Sequence, residues 1–245
     1  MNIYMYVCDD KFNTINIIVT GVSGLLGSAL KDILIADYPS HESFDVNNSV
    51  QMNTVLSTKK YTICVHCAAI SSPDEVEKFP FRGFDVNIVG TANLVLLCCK
   101  YNIKLIYIST SYVFDGNYNE NSPVNPINKY GLSKLGGECC VRLYNNSLII
   151  RLATGTNVFP YSNAYDDQYI SREPVSVISQ KIKSILNTNM TGIIHIGSHR
   201  RSQYEYARSI SIKDIGKIHI NMSTYPIPRD TSFNTKKYDS FNFLE

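Results

Sequence analysis

Apolar residues along this chain recur at two spacings, and the alternation between them predicts strands followed by helices. Ile15, Ile17, Ile18 and Val19 form a β-branched run of the kind buried in a parallel sheet, and Leu25, Leu26, Leu30, Ile33 and Leu34 follow at helical spacing. The pattern is then compressed, and between 36 and 49 only residues 41–46 read as extended. Val50, Met52, Val55 and Leu56 predict a short amphipathic helix, and residues 61–67 a strand that runs out into Ala68 and Ala69. A short helical turn over 73–78 precedes a long helix from about 81 to 101, carried by Phe84, Ile88, Ala92, Val95, Leu96 and Cys99. Asn87 interrupts its apolar face, as a buried amide that ties backbone together would. Residues 104–109 read as the next strand, a helix opens at Tyr130, and 148–151 form a further strand before a Gly/Asn-rich turn over 154–160. Beyond 161 the periodicity weakens to a helix over 175–186, a strand over 193–196, a helix over 204–212 and a tail over 225–245 with Pro226 and Pro228.

Strands that alternate with helices in this way predict an α/β fold, a doubly wound parallel sheet. The expected division is an extension over 1–14, a dinucleotide-binding domain over 15–160, and a small substrate-binding cap with the tail over 161–245, interleaved with the core. A chain of 245 residues is long enough for one sizeable core with such an appendage. Charge narrows the partners: 23 Lys and Arg against 21 Asp and Glu leave a net +2 with no basic run, which excludes a nucleic-acid groove and a charged membrane surface as expectations. Of the seven cysteines, Cys64, Cys67, Cys98, Cys99, Cys139 and Cys140 lie inside apolar patterns, where small buried thiols are expected, and this suits a reducing, cytoplasmic setting. Cys64-x-x-Cys67 falls within a strand-like run and not at a helix start, so no metal or redox site is assigned there. The apolar runs read as too short to cross a bilayer, and residues 1–14, with Asp9, Asp10 and Lys11, lack the form of a signal peptide.

Three features carry chemistry. Gly21, Gly24 and Gly27 are spaced three apart where the first strand breaks into the first helix. In such a turn the first glycine allows the bend, the second lets backbone N–H groups approach a pyrophosphate, and the third lets the helix pack on the strand. Ser23, Leu25 and Leu26 share this turn, and glycines that only punctuate a strand-helix turn are the bland alternative. Asp45, followed by Val46, has three candidate roles: binding the adenosine ribose, binding the adenine amino group, or standing at the N-terminus of a helix. Cys67, Ala68 and Ala69 leave room for a ligand at the carboxyl end of a sheet strand. Thr110, Ser111 and Tyr112 form a hydroxyl cluster at the end of the next one. Tyr130 and Lys134, four apart at a helix start, share a helix face. A tyrosine, whose ordinary pKa is about 10, serves as a general acid near neutral pH only with help for its phenolate, which a lysine one turn away supplies. With Thr110 holding a substrate carbonyl, the set suits reduction of a ketone, Tyr130 giving the proton and a dihydronicotinamide the hydride.

The order of these motifs resembles the extended short-chain dehydrogenase/reductases, and within them the dTDP-4-dehydrorhamnose reductases. The matching stretches are residues 20–27, Val65-His66-Cys67-Ala68-Ala69, residues 109–116, the run from Pro126 through Tyr130-Gly131-Leu132-Ser133-Lys134 to Glu138, Ile150-Arg151, and residues 228–237. The resemblance implies a Rossmann-like reductase of a nucleotide-linked 4-keto-6-deoxy sugar, using NADPH or NADH with NADPH ahead, and active in deoxysugar synthesis such as that of activated L-rhamnose. It carries Thr110, Tyr130 and Lys134 over as the catalytic set, Ser111, Tyr112 and Arg151 to the substrate, and Asp45 to an adenine contact. Ser111 stands where those reductases usually carry Asp, and both the second-strand region and the C-terminal part are short for the family. A nucleotide-sugar epimerase or dehydratase with tightly held NAD shares the fold. The regulatory beta subunit of methionine adenosyltransferase, a non-catalytic dinucleotide-binding subunit, is also similar, chiefly at residues 66–69 and 73–77. The partners so implied are a sugar nucleotide and either a second copy of the chain or a partner enzyme.

Overall fold

The structure is a computed structural model that describes residues 15–116 and 118–241. The extension expected over 1–14, Asn117, and the end of the tail at 242–245 lie outside the described residues. Five strands, β1 (Ile17–Thr20), β2 (Ile63–His66), β3 (Lys104–Thr110), β4 (Ser147–Leu152) and β5 (Gly192–Ile196), form one parallel sheet in sequence order. Their register aligns Ile18 with Cys64, Val65 with Ile106, Ile106 with Leu148 and Ile150 with Ile194. Every one of these side chains is buried, which explains why the strands read as continuous apolar runs and not as alternations.

Helices cover both faces. On one side α1 (Leu25–Lys31) and α7 (Val175–Leu186) bury Leu26, Leu30, Ile178, Ile182 and Ile185 against Val19, Val65 and Ile194. On the other, α2 (Ser49–Leu56), α5 (Thr91–Tyr101) and α6 (Lys129–Val141) bury Met52, Leu56, Leu94, Cys98 and Val141 against Cys64, Leu105 and Tyr107. The doubly wound, Rossmann-like expectation is met.

The segment between α1 and α2 departs from expectation. The stretch expected to be extended, 41–46, contains a tight turn in which the amides of Ser43 and Phe44 both donate to the Ser40 carbonyl, at 3.2 and 2.9 Å, and it plugs Phe44 and Val46 into the core. The extended residue is Asp37, which pairs with Ile18 through two backbone hydrogen bonds of 2.9 Å. Pro39, which lacks an N–H, stands two residues further on and stops the ladder there. The strands that would flank β1 on this side are thus reduced to a single bridge.

The helix expected from about 81 to 101 is present, as α4 (Pro80–Phe84), a π-helical segment over Asp85–Gly90, and α5. Asn87 lies in the π-helical segment and ties it down: its amide group accepts from Ile70 N at 2.9 Å and donates to Ile70 O at 3.0 Å and Ser133 Oγ at 2.9 Å. Contrary to the sequence reading, this helical stretch is by length and composition apolar enough to cross a membrane. In the fold one side of it packs on α2 and α6, while Phe81, Phe84 and Leu96 are exposed. The cysteines also divide: Cys64 and Cys98 are buried as expected, but Cys99 and Cys139 are exposed on α5 and α6.

After α3 (Pro73–Lys78), β3 and β4, the chain builds a cap from short ladders, pairing residues 163–165 with 216–218 and 169–170 with 201–202, and from α8 (Gln203–Ile210). Phe159, Ala164, Ile170, Tyr206 and Ala207 give it a small core of its own. Because α7 and β5 return to the main layers, residues 161–241 contribute to both the cap and the sheet. The tail, for which no periodicity is visible, is docked: Thr231 N donates to Tyr169 O at 2.8 Å, Phe233 N to Ser171 Oγ at 3.2 Å, and α9 (Lys236–Asp239) lies against β5.

Candidate functional site

The first four strands end along one edge of the sheet, and a cleft of about 1460 Å³ runs over that edge to the cap. One wall is the glycine turn. Thr20, the last residue of β1, shares a hydrogen bond of 2.9 Å with His66 Nδ1 and accepts from Ala68 N at 3.2 Å, while His66 Nε2 meets Thr91 Oγ1 at 3.2 Å. These contacts pin the ends of β1, β2 and α5 together. Burial, and then the charge of Lys134, draw the His66 imidazole down to about 3, so it is neutral. Gly21 has φ +71°, and a Cβ there would stand 2.5 Å from Ala68 N; at Gly27 it would stand 2.2 Å from Gly21 O. Gly24 has only Gly21 O within reach, at 3.3 Å, and as the N-cap of α1 it leaves the first-turn amides without a side-chain acceptor. Gly21, Ser23, Gly24, Leu25, Leu26 and Gly27 all line the cleft, as do Cys67, Ala68 and Ala69 after β2. A wall of small residues and uncapped amides fits a dinucleotide pyrophosphate.

Asp45 and Val46 line the same cleft. Asp45 Oδ1 accepts from Asn47 N at 2.9 Å, a local turn contact that fixes the carboxylate, while Asn48 serves as the N-cap of α2. Asp45 is therefore a cleft residue and not a helix cap.

The third wall carries the hydroxyl groups. β3 ends in Thr110, whose Oγ1 accepts from Tyr112 N at 3.2 Å and starts a single 3₁₀ turn over Ser111–Val113. Opposite it, Asn128 caps α6 by accepting from Gly131 N at 2.8 Å, and a Cβ on Gly131 would stand 2.4 Å from Tyr112 O. That close approach brings the rings of Tyr112 and Tyr130 edge to face at 5.7 Å. Ser133 Oγ, held by Asn87, donates to Tyr130 O at 2.8 Å. Thr110, Ser111, Tyr112, Tyr130 and Lys134 all reach the cleft.

Burial pushes the Tyr130 hydroxyl up to about 12, opposed first by its hydrogen bond with Thr110 and then by the charge of Arg172. Lys134 is itself buried, which draws its ammonium down to about 8 against the pull of Glu138, and its Nζ stands 4.3 Å from the ring centre of Tyr107. The cation that favours the Tyr130 phenolate in this structure is thus Arg172 on the cap, where the sequence pointed to Lys134.

Arg151 is the site residue that the structure places elsewhere. It is buried behind the cleft, with Nε and Nη2 donating to the two carboxylate oxygens of Glu138 at 2.9 and 2.7 Å, and its guanidinium lies over Phe114. Ser109 Oγ also donates to Glu138, at 2.5 Å. Arg151 does not line the cleft, and its role is to neutralise a buried carboxylate where α6 packs on β3 and β4. The residues that sequence reasoning missed are on the cap: Tyr165, Gln168, Arg172 and Tyr225 close the far end of the cleft. Among the described residues Arg172 Nε has no hydrogen-bond partner, and neither has the Tyr206 hydroxyl beside it. Asp166, Asp167 and His219 bring their ligand atoms within 4.8 Å of one another, but they do not line the cleft and His219 is exposed.

Over residues 15–163 the chain matches the family described as RmlD substrate binding domain. It is 31% identical to methionine adenosyltransferase 2 subunit beta of Xenopus tropicalis over 182 residues, 68% of this chain and 52% of that protein. It is 27% identical to a putative UDP-glucose 4-epimerase of Methanocaldococcus jannaschii over 221 residues, 80% of this chain and 70% of that one. The chain spans about half the length of the adenosyltransferase subunits it matches. Among solved structures, a dTDP-4-dehydrorhamnose reductase of Bacillus anthracis in complex with NADP superposes with a TM-score of 0.85 at 24% identity, covering 94% of this chain and 93% of that one.

Proposed function

We propose, on the premise that this chain belongs to the RmlD substrate binding domain family, that it binds a nicotinamide dinucleotide along the glycine wall and reduces the keto group of a nucleotide-linked 4-keto-6-deoxy sugar under the cap. The observation that carries this reading is one continuous cleft lined by the Gly21–Gly27 turn, by Thr110, Tyr130 and Lys134, and by Arg172. When bound, the dinucleotide supplies hydride to the carbonyl carbon.

The protein's own share is position and proton supply. Thr110 and Tyr130, hydrogen-bonded to each other, offer two hydroxyls for one carbonyl oxygen. Burial keeps Tyr130 a neutral phenol at physiological pH, so its proton is present to be given as negative charge develops on that oxygen. Arg172 then favours the phenolate left behind, and Lys134 adds a buried positive charge to the same cleft, one helical turn from Tyr130. Arg172, with Nε unpartnered, is the cap residue that suits the diphosphate of a sugar nucleotide. Small residues at Gly21, Gly24 and Ala68 let the dinucleotide approach the backbone, and Cys67 and Ala69 continue that wall toward Tyr130.

The test is turnover of dTDP- and UDP-linked 4-keto-6-deoxyhexoses with NADH and with NADPH. Consumption of reduced dinucleotide in step with appearance of the sugar alcohol supports the reading; a bound dinucleotide with every keto sugar left unreduced contradicts it. Cofactor that stays bound through purification and is not consumed would point to epimerisation or dehydration. The identity to the adenosyltransferase beta subunits favours a second reading, a dinucleotide-binding subunit of a partner enzyme, which predicts co-purification of that enzyme and no keto-sugar turnover.

A further inference from the structure

In a parallel sheet of this kind, the residues just past the strand beside β1, on the side away from β2, approach the adenosine ribose. Here that strand is the single residue Asp37, and the chain leaves it as Tyr38-Pro39-Ser40-His41-Glu42, with Pro39 to Glu42 lining the cleft next to the glycine turn. Asp37 itself is engaged elsewhere, by Lys59 Nζ at 2.6 Å and the Tyr61 hydroxyl at 2.5 Å. Its carboxylate is held by these two partners and leaves the ribose end to the loop that follows.

The charge of this end is one-sided. From Asp32 to Thr58 the chain contains no Lys and no Arg, and the cleft-lining residues of this stretch include two carboxylates, Glu42 and Asp45. Asp45 is held against the wall by the Asn47 amide, so it does not swing away. Among the described residues, apart from Lys134 and Arg172, the other Lys or Arg that lines the cleft is Arg82, whose guanidinium pairs with Glu75 at 2.6 Å.

A ribose with free 2′- and 3′-hydroxyls offers donors to such carboxylates, whereas a 2′-phosphate brings a charge of about −1.5 to −2 against them. We propose, resting on the dinucleotide reading above, that the cleft selects NAD(H) over NADP(H), with Glu42 as the specificity-determining residue and Asp45 supporting it. This reverses the preference for NADPH expected from the family resemblance. Its physical cause is the shortened segment after α1, which brings Glu42 to the ribose end with no arginine beside it.

The test is equilibrium binding of NADH and NADPH to the whole chain, followed by the fluorescence of the bound dihydronicotinamide at low and high salt. NADH is expected to bind at least about tenfold tighter at low salt, and the gap should narrow as salt screens the repulsion. Glu42→Lys should raise NADPH affinity and lower NADH affinity, reversing the order, while Glu42→Gln should shrink the gap without reversing it. Wild-type protein that binds NADPH as tightly as NADH, or tighter, overturns the selectivity and leaves the dinucleotide cleft standing. Binding of neither overturns both.

Discussion

Burial decides the protonation states of the central residues. Tyr130 is held up to about 12 and Lys134 drawn down to about 8, both by burial, so at pH 7 the phenol keeps its proton and the ammonium is still charged. A rise in pH through about 8 removes the charge of Lys134 before it touches Tyr130. The expected outcome is a reductase rate that falls above about pH 8, with the Lys134→Met variant slow and lacking that alkaline limb; a pH profile of kcat/KM checks it. At the cap, Arg172→Ala is expected to raise KM for the sugar nucleotide on the order of 10–100-fold, the loss of one charge-assisted contact, while dinucleotide affinity holds. Glu138 and Arg151 belong to a different account. Arg151→Met leaves a carboxylate buried without its bidentate partner, and such losses cost about 3–5 kcal/mol, readable by urea denaturation with no direct change at the cleft.

At the scale of elements, what could be read from the chain followed its periodicity. The helix expected over 175–186 and the helical turn over 73–78 are α7 and α3, and the glycine turn was visible because three glycines interrupt a β-branched run at fixed spacing. Thr110, Tyr130 and Lys134 were legible for a similar reason: each sits at a strand end or on the first turns of a helix, where spacing fixes direction. Arg172, Gln168 and Tyr225 are not, because they stand in loops between short ladders, with no period to place them. Asp37 was missed since a one-residue strand leaves no alternation, and the π-helical segment since its apolar face reads as ordinary helix with one amide misplaced. Arg151 departs from the sequence expectation because a motif places it on a strand but says nothing of Glu138 opposite. The glycine turn makes its own prediction: Gly21→Ala, at φ +71° and 2.5 Å from Ala68 N, is expected to cost about 1–3 kcal/mol and to weaken dinucleotide binding, measured by thermal shift with and without NADH.

In the whole molecule, a five-stranded sheet with helices on both faces holds the cleft open at one edge, and the cap and docked tail close its far end. Two histidines set how this assembly answers to acid. His66 binds the strand ends beneath the glycine turn, and His195 on β5 packs between Phe114 and Phe233; burial draws both down to about 3. Below the ordinary histidine value of about 6.5 the unfolded chain takes up protons that the folded chain refuses. Stability present above that pH is therefore lost as pH falls, by up to about 1.4 kcal/mol per pH unit for each histidine. Urea denaturation at pH 7 and pH 5 is expected to show the loss, and His195→Leu to remove part of the slope. In the proposed reaction at the cleft, Tyr130 is the proton donor in a ketone reduction. Single-turnover reduction of a dTDP-linked 4-keto-6-deoxyhexose by wild type and by Tyr130→Phe, with dinucleotide affinity measured on both, tests it most directly. The variant is expected to bind the dinucleotide like wild type and to reduce the sugar on the order of 10²–10⁴-fold more slowly; equal rates in the two proteins would contradict the assignment.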